Sequence, residues 1–194
     1  MQLFVNRPSP YGRKALVAAW ESGLADRIDI VQVDPWKDPP DLLAVSPAGK
    51  VPALVLEDGS VLIESTAICS HLMELGGRPR AAAAEWREET RRTGFAQALI
   101  DAAYAAVIER RRPPERQWEH WVERQRSAVH RLLGVLEVPL PDRFDLGDIG
   151  LACGLAYLDF RLPDIAWRQV RPDLATWLDR AALRPSMSAS TPVG

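Results

Sequence analysis

The sequence predicts a two-part chain, an α/β domain over residues 1–77 followed by an all-α helical bundle domain over residues 85–194. Three observations predict it. Short β-rich runs alternate with helical patterns only before Gly76-Gly77, an Asp58-Gly59 pair joins two of those runs as a hairpin, and beyond Pro79 every apolar repeat has helical spacing. Residues 78–84, with Pro79, are the expected linker.

Residues 2–5 form an apolar run ended by Asn6-Arg7-Pro8-Ser9-Pro10, and residues 10–22 repeat apolar side chains through Ala15, Leu16, Ala19 and Trp20. Gly23 closes that helix, and Ile28 to Val33 alternates as a second strand, which makes a parallel β-α-β unit. Three prolines between Asp34 and Pro40 allow only a turn or short helix before Leu42-Leu43. Val51 to Leu56 and Ser60 to Ile63 should pair antiparallel across Asp58-Gly59, a dipeptide suited to a turn that needs positive φ. Ala67, Ile68, His71, Leu72 and Leu75 then share one helical face before Gly76-Gly77.

In the second half, residues 85–111 present Phe95, Leu99, Ala103 and Val107 on one face. Residues 115–136 do so through Trp118, Val122, Gln125, Val129, Leu132 and Leu136. Pro113-Pro114 between them implies antiparallel neighbours. A third helix starts at Asp145, with Asp148 as the acidic member of a capping box and Phe144 and Ile149 placed for a hydrophobic staple. Gly150 and Gly154, one turn apart, would let a neighbouring helix come close. A last helix over residues 172–182 precedes a tail expected to be extended.

Composition narrows the function classes. A net charge of −2 lacks the positive balance that phosphate-backbone binding needs, so no nucleic acid is expected. The first residues carry no apolar signal core, and no stretch approaches about 18 uninterrupted apolar residues, so the expectation is a cytoplasmic protein with no membrane partner. Cys69 and Cys153 lie far apart in apolar helical patterns and read as buried thiols. His71, His120 and His130 have no metal-ligand spacing, so no metal is expected. Arg110 to Arg116 reads as a solvated basic turn at a helix end.

The stretch Ser46-Pro47-Ala48-Gly49-Lys50-Val51-Pro52-Ala53-Leu54 carries the most chemical information, together with Glu64-Ser65 ten residues later. A proline opening a strand must sit where no ladder donor is required, and a tight approach there could use a cis bond. Val51 before it would expose its backbone amide and carbonyl. Glu64-Ser65 places a carboxylate, a hydroxyl and helix-start N–H groups together, which suits a ligand with both an ammonium and a carboxylate.

These motifs resemble the cytosolic glutathione transferase family, bacterial-type, with serine at the active-site position. Ser-Pro-Ala-Gly-Lys-Val-Pro and Glu-Ser stand where that family carries its cis-proline turn and γ-glutamyl-binding pair, and the helical second half and the closing Leu-Arg-Pro-Ser also fit. The resemblance implies a thioredoxin-like first domain of order β-α-β-α-β-β-α. It implies that Val51, beside Pro52, binds the cysteinyl backbone of glutathione, that Glu64 and Ser65 bind its γ-glutamyl end, and that Lys50, with Lys37, faces its glycyl carboxylate. It implies glutathione as co-substrate, a hydrophobic electrophile as second substrate, and a homodimer. The alternative that keeps the fold is a non-catalytic binding or regulatory module.

By the same resemblance Ser9 is the activating residue. The glutathione thiol titrates near the free cysteine value of about 8.5, so a nucleophile at neutral pH needs its thiolate stabilised. Ser9 precedes Pro10, a favoured first helical residue, and so stands at the positive end of a helix. Two other readings stay open: Ser9 as a plain helix cap, and Tyr11 as the hydroxyl instead. The segment Arg-Pro-Ser-Pro-Tyr-Gly-Arg-Lys has no cysteine, which argues against mixed-disulfide chemistry with glutathione. Tyr104 and Trp118 are candidate edges of the electrophile pocket, although aromatics at helical spacing are core residues more often.

Overall fold

The computed structural model describes residues 1–78, 82–140 and 143–192. The expected linker at 78–84 lies partly outside the described residues. Contacts gather the described residues into two compact units, one of Met1–Ala81 with Arg184–Gly194 and the other of Ala82–Leu183.

The first unit is a four-stranded mixed sheet with helices. Its strands are β1 (Gln2–Val5), β2 (Asp29–Gln32), β3 (Ala53–Val55) and β4 (Val61–Ile63), in the order β2-β1-β3-β4. β1 pairs parallel with β2 and antiparallel with β3, and β3 pairs antiparallel with β4. The helices are α1 (Pro10–Glu21), α2 (Pro40–Val45) and α3 (Ser65–Leu75), so the order is β-α-β-α-β-β-α and the thioredoxin-like expectation holds. The proline-rich stretch resolves into a 3-10 turn at Pro35–Lys37 and the short α2. Gly59, at φ +83, makes the hairpin turn that Asp58-Gly59 announced.

α1 and α3 meet at their C-terminal ends. A side chain at Gly76 would overlap the backbone of Ser22, so only glycine allows α3 to end there. Two apolar stripes overlap in the α3 sequence, and the structure buries the one through Ile68, Cys69, Leu72 and Met73. Ala67 and Leu75, both expected on the inner face, are exposed. Trp20 is likewise exposed, because the tight face of α1 consists of Ala15, Val17, Ala18 and Ala19.

The C-terminal segment corrects the sequence reading. It is a short helix within the first unit rather than an extended tail of the helical domain. Arg184 forms a two-pronged ion pair with Glu21 at 2.6 and 2.9 Å, and Ser186 Oγ donates to Glu21 at 2.5 Å. Arg13, buried in α1, donates to the Met187 carbonyl at 3.0 Å and to Ser190 Oγ at 3.3 Å. Partners so distant in sequence give no local signal.

The second unit is all-helical: α4 (Ala83–Glu109), α5 (Glu119–Val135), α6 (Leu146–Arg161), α7 (Trp167–Val170) and α8 (Pro172–Ala181). The C-terminal helix of the first unit is α9 (Pro185–Ala189). α6 runs alongside α4 in the same direction, with Gly147 facing Arg92, Gly150 facing Ala96 and Gly154 facing Leu99 and Ile100. A Cβ at Gly150 would lie 3.1 Å from that of Ala96, the close approach expected of this glycine pair. Trp118 departs from expectation: it caps α5, is 62% exposed, and stacks on Trp121 instead of facing inward. Cys69 and Cys153 are both buried and are not joined in a disulfide. Among the described residues no helix is long and apolar enough to cross a membrane.

Candidate active site

Strand register gathers the predicted site residues of the first unit. Phe4 pairs with Ala53 and Ala53 with Ile63, so the next positions along are Val5, Pro52 and Glu64 at one end of the sheet. The chain after β2 ends there too, since Val33 N donates to the Val5 carbonyl at 2.9 Å and Asn6 Nδ2 donates to the Val33 carbonyl at 3.0 Å. The loop to Ser9, the turn before β3 and the start of α3 therefore share one end of the sheet.

Ser9 is the N-cap of α1. It has an extended backbone, and its Oγ accepts from Gly12 N at 3.2 Å. Pro10 follows at the first helical position, where its lack of an N–H costs nothing. A hydroxyl that accepts from the helix still has its own proton to donate. Capping and donation thus use different parts of one group, and the two readings of Ser9 are compatible. Tyr11 is the second residue of α1 and is half-buried.

The turn before β3 is closed by its own first residue. Ser46, 1% exposed, donates from Oγ to the Lys50 carbonyl at 2.9 Å, and Gly49 N donates to the Ser46 carbonyl at 2.8 Å with Gly49 at φ +62. The Val51–Pro52 bond is cis, Pro52 is buried, and Val51 stands just outside the β3 ladder. Lys50 is exposed. Lys37 lies on the 3-10 turn, its side chain 81% exposed and 3.8 Å from Asp34 Oδ2.

At the start of α3, Glu64 is exposed and held at φ 72, ψ 118, a conformation rare for a residue with a side chain. Its side chain makes no capping bond to the helix. Ser65 is 3% exposed. Beneath it lies Lys14 of α1, 2% exposed, whose Nζ donates to Ser65 Oγ at 3.3 Å and to Thr66 Oγ1 at 2.9 Å. Lys14 and Thr66 were not legible as site residues. The one available signal was a lysine three and four residues before the buried Val17 and Ala18, on the tight face of α1.

Residues 8–75 match the family model "Glutathione S-transferase, N-terminal domain", and residues 119–180 match "Glutathione S-transferase, C-terminal domain". The chain belongs to the glutathione S-transferase family. It is similar over 100% of its length to 99% of a glutathione transferase family member from Pseudomonas fluorescens Pf-5 crystallised with bound glutathione, at 37% identity and a TM-score of 0.91. The uncharacterized GST-like protein YibF of Escherichia coli (strain K12) is 28% identical over 99% of this chain and 98% of its own. A maleylacetoacetate isomerase of Pseudomonas aeruginosa is 30% identical over 79% of this chain and 76% of its own.

Proposed function

We propose that the chain is a glutathione transferase that conjugates the glutathione thiolate to a small electrophilic organic substrate, as a cytoplasmic homodimer. The observation that carries this reading is the convergence of Ser9, Val51-Pro52 and Glu64-Ser65 at one end of the sheet. The similar Pseudomonas fluorescens protein with bound glutathione supports it.

Val51, at the mouth of β3, pairs with the cysteinyl backbone of glutathione as an added strand would, and Pro52 fixes its position. Glu64 takes the γ-glutamyl ammonium, while Ser65 and the first-turn amides of α3 take its carboxylate. Lys50, and more weakly Lys37, attracts the glycyl carboxylate. The sulfur then lies at the positive end of α1 and receives the Ser9 hydroxyl proton as a hydrogen bond. Lowering the thiol pKa by about 2 units corresponds to about 2.7 kcal/mol of thiolate stabilisation. The thiolate attacks an electrophilic carbon: a C–S bond forms, and the displaced electron pair leaves with the leaving group or moves into the acceptor.

Glutathione affinity and the ultraviolet thiolate band of wild type and Ser9→Ala test the proposal together. The expected result is binding by both proteins, with the thiolate band at pH 7 present in wild type and strongly reduced in Ser9→Ala. Binding without a thiolate in wild type would overturn the enzyme reading, and no binding at all would favour the non-catalytic module.

A further inference from the structure

Lysine is rarely buried, and a cation next to a helix N-terminus adds charge of the same sign as that end of the dipole. Lys14 does both. It is 2% exposed, it comes from α1, and it reaches the first turn of α3 at Ser65 and Thr66. A lysine ammonium has only protons to give, so both hydroxyl oxygens act as acceptors toward it. Each hydroxyl proton must then point elsewhere, and Nζ withdraws electron density from the oxygen that carries it. Ser65, itself 3% exposed, is thereby held as a donor at the helix end where backbone amides also gather. Burial weakens solvent screening there, so the charge counts for more than it would at the surface.

We infer that Lys14 is a positioning residue for ligand selection: without touching the ligand, it orients and polarises Ser65 and supplies the buried positive charge that makes the start of α3 specific for the α-carboxylate of a γ-glutamyl group. The inference rests on the reading of this site as the glutathione site. It also accounts for why α1 places a lysine on a face otherwise made of Ala15, Val17 and Ala18.

The test pairs a variant with a ligand change, so that loss of packing and loss of carboxylate recognition separate. Glutathione and 4-aminobutyryl-cysteinyl-glycine, which lacks only the α-carboxylate, are titrated calorimetrically into wild type, Lys14→Met and Lys14→Arg. Wild type should prefer glutathione by at least about tenfold. Lys14→Met should weaken glutathione by about tenfold while changing the analogue less than about twofold, and Lys14→Arg should restore most of the preference. Equal weakening of both ligands in Lys14→Met, or an unchanged preference, would overturn the inference while leaving the glutathione reading intact. Absence of glutathione binding by wild type would overturn that reading and the inference with it. Should Lys14→Met lack a cooperative unfolding transition, Lys14→Gln replaces it: selective weakening of glutathione supports the inference, and equal weakening or none overturns it.

Discussion

Two helix starts in this chain solve the same electrostatic problem in opposite ways. The start of α6 is closed by the protein's own anions. Asp145 accepts from the amides of Gly147 and Asp148 at 3.0 and 3.2 Å, and Asp148 accepts in return from Asp145 N at 3.2 Å. Arg92 neutralises the pair at 2.5 and 2.7 Å, Arg143 adds a bond to Asp148 at 3.0 Å, and Glu89 accepts from Leu146 N at 3.2 Å. Burial would raise the Asp145 carboxyl, but the hydrogen bonds and charge of Arg92 outweigh it and hold it below the ordinary aspartate value. Asp148 is displaced upward, by its burial first and by the neighbouring Asp145 charge, against the pull of both arginines. At the start of α3 the acidic N-cap residue makes no capping bond, and the buried charge behind it is a cation. Where the chain supplies the anion, the helix start is structural. Where it supplies a cation and hydroxyls, the start is suited to receive an anion.

The largest expected effect lies at the closed start. Asp145→Ala removes the cap and leaves Arg92, 12% exposed, without its closest carboxylate, so urea unfolding should show a loss of about 3–5 kcal/mol. Glutathione affinity of the folded variant should not change, and a comparable loss of affinity would show that the two starts are not functionally distinct. At the open start, Glu64→Gly should do the reverse. Relief of the backbone at φ 72 should raise stability by about 1 kcal/mol, while glutathione binds at least about tenfold more weakly.

A smaller effect is expected at the C-terminal clasp. Burial raises the Glu21 carboxyl, but hydrogen bonds from Arg184 and Ser186 outweigh it, so its folded pKa lies below the ordinary value of 4.5. A carboxyl with a depressed folded pKa contributes fully above its unfolded value and loses that contribution as pH falls through the folded one. The protection factors of the amides of 184–192 should therefore be high at pH 7 and fall below pH 4.5, and Glu21→Gln should cost about 1 kcal/mol at neutral pH only. The smallest effect is at Lys37: with a side chain 81% exposed and Asp34 beside it, Lys37→Ala should shift glutathione affinity by less than about twofold.

Local chemistry was what the sequence made legible. The hairpin at Asp58-Gly59, the cap at Ser9, the box at Asp145 and Asp148, and the Val51–Pro52 turn each depend on residues within a few positions of one another. Periodicity found the helices but misplaced faces where two apolar stripes overlap, as at Leu75, or where an aromatic residue caps a helix, as at Trp118. Contacts between distant segments were silent: Lys14 with Ser65, Glu21 with Arg184, and Arg13 with Met187 exist only once the sheet and α1 are assembled. The residues proposed to face the ligand were thus readable in the sequence, and Lys14, proposed to position one of them, was not.

The most direct test of the central claim is calorimetric titration of glutathione into Ser65→Ala beside wild type. Wild type should bind saturably, with affinity at least about tenfold weaker in the variant, since the polarised hydroxyl over Lys14 is lost. Equal affinity in the two proteins would contradict it.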